Sequence, residues 1–151
     1  MTNRIQIHAS CVAIGATGVL LRGPSGSGKS DLALRLIDGG ARLVADDRVD
    51  LVRDPDAAGV LAAAPAALAG LIEVRGLGIV RLPAVARARL GLVVDLCTAA
   101  EMPRLPEPRR CDYLGVALPL LALAPFKVSA TAKLRLAARA LTDDIVSEGG
   151  L

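Results

Sequence analysis

A chain of 151 residues that is 53% hydrophobic and 22% charged can bury one sizeable core, which excludes a disordered protein, and is too short for a second domain of normal size. Its net charge of +3 comes from basic residues scattered singly, and one Tyr, one Phe and no Trp give no series of stacking platforms, so nucleic acid is not expected as a partner. No apolar run approaches the roughly 20 residues that span a bilayer, and Cys11, Cys97 and Cys111 form no CxxC pair, so a cytoplasmic protein with reduced thiols and no membrane partner is expected.

In chain order, Ile5 to Ile14 reads as a first strand carrying His8, the only histidine, and Gly15 to Gly18 as a tight turn. The apolar stretch from Cys11 to Leu21 is close to the N-terminus, but cleaving it as a signal peptide would remove the strand that supports a glycine-rich loop. That strand, Gly18 to Arg22, runs into Gly23-Pro24-Ser25-Gly26-Ser27-Gly28-Lys29-Ser30, which fits G-x-x-x-x-G-K-S/T at every fixed position. Leu32, Leu34, Leu36 and Ile37 then sit in a helical stretch closed by Gly39 and Gly40. Strand, glycine-rich turn and helix together make a phosphate cradle, in which main-chain N–H groups and the helix N-terminus face an anion. Lys29 is expected on the β- and γ-phosphates and the Ser30 hydroxyl on Mg²⁺, so a purine triphosphate with Mg²⁺ is the expected ligand.

Arg42 to Asp47 reads as a short strand ending in two carboxylates, Asp46 and Asp47, with a return strand from Val49 to Val52. Ligands of open α/β sheets bind outside the carboxyl ends of strands, so paired acids there belong to the site. As neighbours in a strand they point to opposite faces, which lets one serve metal or nucleotide and the other the acceptor. Val60 to Ala69 is alanine-rich, with Pro65 at a possible helix start. In Ile72 to Arg81 two glycines interrupt a β-like alternation, and Glu73 and Arg75 share a face by period two; the bland alternative is a strand with a solvated charged face. Arg89 to Cys97 reads as a central strand with Asp95 near its end, and Met102 to Arg110 as a proline-rich loop with three arginines. Two short strands come next, Tyr113 to Val116 and Leu118 to Leu123, and then a helix capped by Ser129 or Thr131 with Leu134, Ala138, Leu141 and Ile145 in one stripe. The apolar content exceeds what so small a core needs, which points to a homo-oligomer.

Four of these features together resemble the HPr kinase/phosphorylase family, the serine kinases of the bacterial sugar phosphotransferase system. They are His8, GPSGSGKS at Gly23 to Ser30, LVADDRVDL at Leu43 to Leu51 and EVRGLGIV at Glu73 to Val80, in matching order and approximate spacing. The resemblance implies a single P-loop domain over residues 1–151, α/β with a mixed sheet and flanking helices, like that of phosphoenolpyruvate carboxykinase, in a hexamer. It implies ATP and Mg²⁺ as cofactors and an HPr-like phosphocarrier as partner, phosphorylated on serine, with inorganic phosphate reversing the step to give pyrophosphate. Carried over by position, Gly23, Pro24, Ser25, Gly26, Ser27, Gly28, Lys29 and Ser30 hold the nucleotide, and Ser30 and Glu73 hold Mg²⁺. Asp47 is the general base, His8 orients it or holds incoming phosphate, Asp46 stands in the metal's outer shell, and Arg75 contacts phosphate or its own loop. The chain looks like a short form that starts at the His8 strand. An arginine of the longer enzymes aligns near Cys111 to Gly115, where Tyr113 stands; Arg109 or Arg110 is the candidate to replace it, and Lys133 the candidate to replace a basic residue of the following loop. That departure keeps a second class of function open, a catalytically weak ATP-binding sensor that regulates a partner by conformation.

Overall fold

The computed structural model describes residues 3–142 and has the expected α/β architecture, with a mixed sheet and few helices. Eleven strands form among the described residues. β1 (Arg4–His8), β2 (Ser10–Ile14) and β3 (Thr17–Arg22) precede helix α1 (Lys29–Asp38). β4 (Arg42–Ala45), β5 (Arg48–Arg53) and β6 (Val60–Ala63) follow, then a hairpin of β7 (Leu71–Val74) and β8 (Gly78–Arg81). β9 (Ala88–Leu96), β10 (Arg109–Tyr113), β11 (Val116–Leu123) and α2 (Ala130–Leu141) complete the order.

Nine strands make one sheet in the order β1-β5-β6-β9-β3-β2-β4, with β11 also on β9 and β10 on β11. The long β9 is the shared strand. Its first residues pair with β6, antiparallel, while Val93 to Leu96 pair with β11, parallel; β3 runs parallel to it along the other edge. The sheet thereby folds over on itself, and side-chain alternation fills two cores. Val12, Val19, Leu21, Leu92 and Val94 face the helices, where they meet Leu32, Leu36 and Leu134. Their neighbours Cys11, Leu20 and Val93 face the other way, onto Val49, Leu51, Val60 and Ala62. At roughly 1.5–3 kcal/mol for each large aliphatic side chain buried, these two layers dominate the stability.

Several expected elements are corrected. The single strand from Ile5 to Ile14 is two, because the chain bends at the fully buried Ala9: β1 pairs with β5, whereas β2 pairs with β3 and β4. The expected return strand, β5, does not pair with β4, and Asp46 and Asp47 lie in the turn between them and not in a strand. The alanine-rich segment becomes β6 and a single 3₁₀ turn, Ala66–Leu68, after Pro65. Tyr113 to Val116 is no strand but the β10–β11 turn, made by Leu114 and Gly115 with φ of 55° and 82°. The terminal helix forms over Ala130–Leu141 with Ser129 at its N-cap but no side-chain capping bond, burying Leu134 and Ala138. Ile145, the last residue of the expected stripe, lies outside the described residues.

Candidate active site

The loop between β3 and α1 is shaped to hold an anion. Gly26 and Gly28 have φ of 82° and 100°, a region where a Cβ is strained, so the glycines let the backbone turn its N–H groups inward. Gly28 is also the N-cap of α1, which has no side-chain capping bond, so the helix presents N–H groups with no side-chain acceptor. Lys29, buried at 7% exposure, folds back to donate through Nζ to the carbonyls of Gly23 at 2.6 Å and Pro24 at 3.0 Å. Burial lowers its pKa, against the attraction of Asp46 and Asp47, which raises it; both carboxylates therefore act on the ammonium. Ser27 Oγ is buried without a hydrogen-bond partner. An uncapped helix start, a buried ammonium and an orphaned hydroxyl suit a phosphate group, since each gains a partner from it.

The two aspartates separate as expected, but by a turn and not by strand alternation. Asp46 is 4% exposed and its Oδ1 accepts the hydroxyls of Ser10, from β2, at 2.6 Å and Ser30, from α1, at 2.8 Å. Its Oδ2 accepts the Glu73 main-chain N–H at 3.2 Å, so one carboxylate joins the sheet, the phosphate loop and the β7–β8 hairpin. Asp47 takes a left-handed φ of 70°, which Asp tolerates better than most residues, and turns its side chain, 62% exposed, to solvent. There His8 Nε2 lies 3.1 Å from Asp47 Oδ1. The pair meets because two bends coincide: the Ala9 N–H donates to the Asp47 carbonyl at 3.3 Å, and His8 is paired with Arg48 in the β1–β5 register.

His8, Asp46, Asp47, Lys29 and Ser30 thus come together, with residue 73 fastened beside them by its backbone. The Glu73 side chain is exposed at that position, and Ile72 next to it is buried against the helices, which holds the hairpin in place. Arg75 does not share a strand face with Glu73: it begins the exposed β7–β8 turn, closed by Leu77 N–H to the Val74 carbonyl at 2.9 Å. Among the described residues no group of three His, Cys, Asp or Glu side chains could hold a metal unaided. The oxygens of Ser30 and Glu73 nonetheless suit Mg²⁺, which takes few protein oxygens and completes its shell with phosphate and water, with Asp46 behind Ser30.

A second polar group escaped the sequence. Arg22, the last residue before the loop, makes a bidentate pair with Asp95, Nε to Oδ1 at 2.7 Å and Nη2 to Oδ2 at 2.9 Å. Its Nη1 donates to Tyr113 Oη at 3.0 Å and to Cys111 Sγ at 3.2 Å. An arginine therefore does reach the Cys111 to Gly115 stretch, from β3, whereas Arg109, Arg110 and Lys133 are exposed. The available signal was a lone charge ending each of two apolar runs, with opposite signs.

A model of the HPr serine kinase C-terminal domain matches residues 1–105, which carry His8, the glycine-rich loop, Asp46, Asp47 and Glu73. The chain belongs to that family. Among its relatives, the HPr kinase/phosphorylase of Burkholderia lata is 41% identical over 124 residues, covering 75% of this chain and 38% of that protein. The HPr kinase/phosphorylase of Lacticaseibacillus casei is 46% identical over 80 residues, covering 53% of this chain and 25% of that protein. The chain therefore spans a quarter to two fifths of the length of these relatives. The solved structure of the Hpr(Ser) kinase/phosphatase from Coxiella burnetii is similar with a TM-score of 0.75 and 29% identity, over 93% of this chain and 89% of that one. Membership of the HPr serine kinase C-terminal domain family agrees with the order of the His8, loop, aspartate and Glu73 segments. Among the described residues, no helix is long and apolar enough to cross a membrane.

Proposed function

We propose that residues 1–151 form the catalytic domain of a protein-serine kinase that uses ATP and Mg²⁺ to phosphorylate an HPr-like phosphocarrier protein. One observation carries this reading: the accessible His8–Asp47 pair stands next to the Asp46–Ser30 bond that anchors the phosphate loop. In the forward direction the loop amides and Lys29 take the charge of the β- and γ-phosphates. Asp47 accepts the proton of the incoming serine hydroxyl as its oxygen bonds to the γ-phosphorus, and the bond to the ADP oxygen breaks. His8 holds the Asp47 carboxylate toward the acceptor. Ser30 and Glu73 would hold Mg²⁺, which supplies charge neutralisation at the phosphates, and Asp46 would orient Ser30 from behind. Arg75, on the exposed turn, would meet phosphate oxygens.

The same residues serve the reverse step. Asp47, protonated, gives its proton to the serine oxygen as the bond from that oxygen to phosphorus breaks, while an oxygen of inorganic phosphate bonds to the same phosphorus and forms pyrophosphate. Assembly as a homo-oligomer, a hexamer by family resemblance, belongs to the same proposal. The test is the intact mass of a purified HPr-like carrier after incubation with the chain and Mg²⁺·ATP. Addition of one phosphoryl group is expected; an unchanged mass, where a control kinase phosphorylates the same carrier, overturns the proposal. Incubation of the phosphorylated carrier with inorganic phosphate, assayed for pyrophosphate, tests the reverse step.

A further inference from the structure

The chain has one Tyr and one Phe, and the Tyr is engaged by Arg22. The Phe stands beside the phosphate loop. Phe126 lies in the segment between β11 and α2, 72% exposed, with its ring edge against the loop: a Cβ built on Gly28 would fall 2.8 Å from Phe126 Cζ and 3.1 Å from Cε1. The segment is fastened there from α1. Arg35 pairs with Asp31 at 3.0 Å, one turn back on the helix, and donates Nη2 to the Pro125 carbonyl. Between α1 and this segment runs an open groove of about 520 Å³, lined by Asp31, Arg35, Asp38, Phe126, Lys127 and Thr131.

The topology says what such a groove takes. β3, β9 and β11 are parallel neighbours, so the phosphate loop after β3 and the Phe126 segment after β11 leave the same edge of the sheet. β11 lies two strands from β3, and the segment that follows it crosses that gap to set the Phe126 ring edge on Gly28. Ligands of parallel sheets bind along that edge. An exposed ring with its edge on the anion loop and its faces open matches a base, whose flat apolar surface stacks on an aromatic face without regard to its hydrogen-bonding edge.

We propose that Phe126 is the base platform of the nucleotide site, stacking a purine in the groove between α1 and the Pro125–Thr131 segment, with Arg35 as the positioning residue that holds the segment against Gly28. The proposal rests on the triphosphate reading above. It assigns a role to a residue beyond position 105, where the family match ends. Stacking supplies no discrimination between purines, so ATP and GTP bind with similar affinity.

The test compares Mg²⁺·ATP, Mg²⁺·GTP and inorganic tripolyphosphate by calorimetry on wild type and Phe126→Ala. About tenfold weaker binding of both nucleotides is expected, with tripolyphosphate affinity unchanged. Because the chain contains no Trp, Phe126→Trp gives a single-tryptophan reporter whose emission ATP should quench and tripolyphosphate should not. Unaltered ATP affinity in Phe126→Ala, or an equal loss for tripolyphosphate, overturns the base platform while leaving the phosphate site standing. Failure of wild type to bind either ligand overturns the triphosphate reading, and the platform with it.

Discussion

Ser30 donates its hydroxyl to Asp46 at 2.8 Å, so the first turn of the helix after the phosphate loop is tied to the end of β4 by a buried carboxylate. The same oxygen takes the hydroxyl of Ser10, which is fully buried. Asp46→Ala strands Ser10 and the Glu73 N–H without an acceptor, and should lower unfolding stability by about 2–4 kcal/mol in urea titration. Nucleotide affinity should fall with it, since the loop loses its anchor. A variant as stable as wild type would show that the carboxylate is not the tie.

Asp47→Asn should separate chemistry from binding. Asn tolerates the left-handed φ of 70° as well as Asp does, so the turn survives. Phosphoryl transfer should drop at least about 100-fold with nucleotide affinity nearly unchanged, as loss of a general base requires. His8→Ala should give a smaller loss of the same kind. A sensor that acts by conformation would keep its effect on the partner in Asp47→Asn, which makes this variant the discriminating one.

Arg22 and Asp95 close the ends of two parallel strands, and the pair is bidentate, with side-chain exposures of 28% and 37%. A double-mutant cycle of Arg22→Met with Asp95→Asn should return a coupling of roughly 1–2 kcal/mol in chemical denaturation, above that of an exposed pair because both oxygens are engaged. Coupling near zero would reduce the pair to a surface contact.

The apolar strands, the glycine-rich loop between strand and helix and the adjacent aspartates were legible because each is written locally; the division into two cores was not, and one core was expected. Apolar alternation within one strand, glycines at fixed offsets and a run ending in Asp46 and Asp47 need no knowledge of partners. What failed depends on pairing or on unmarked bends. Ala9 breaks β1 from β2 without glycine or proline, so the pairing of β1 with β5, which delivers His8 to Asp47, had no local sign. Leu114 adopts φ of 55° where the sequence would favour Asn or Gly, so a turn read as strand. The interrupting glycines at 76 and 78 are visible in the sequence, but their effect, a hairpin that parts Glu73 from Arg75, is not. The Arg22–Asp95 pair waits on the β3–β9 register, and Phe126 on the β11 position.

Cys11 offers a pH test. Complete burial, only partly offset by a backbone hydrogen bond, pushes its pKa from 9.0 up to about 12. The folded chain therefore keeps this proton at pH values where the unfolded chain has lost it. The contribution is fully present below pH 9 and is lost as pH climbs toward 12, so stability falls across that window, by a few kcal/mol at most. Cys11→Ala should flatten the decline relative to wild type when unfolding is followed from pH 8 to 11 by urea titration (about one slope unit of 1.36 kcal/mol per pH unit is the ceiling). Parallel curves would show that the thiol ionises freely.

The strand shared by both halves of the sheet leaves the ribosome after the eight described strands that come before it. Until residues 88–96 emerge, β6 and β3 have no common neighbour, and the earlier strands await the keystone that links them. A nascent polypeptide stalled before that point can already pair the histidine with its acid, yet leaves the two layers unjoined, so the finished sheet waits on this strand.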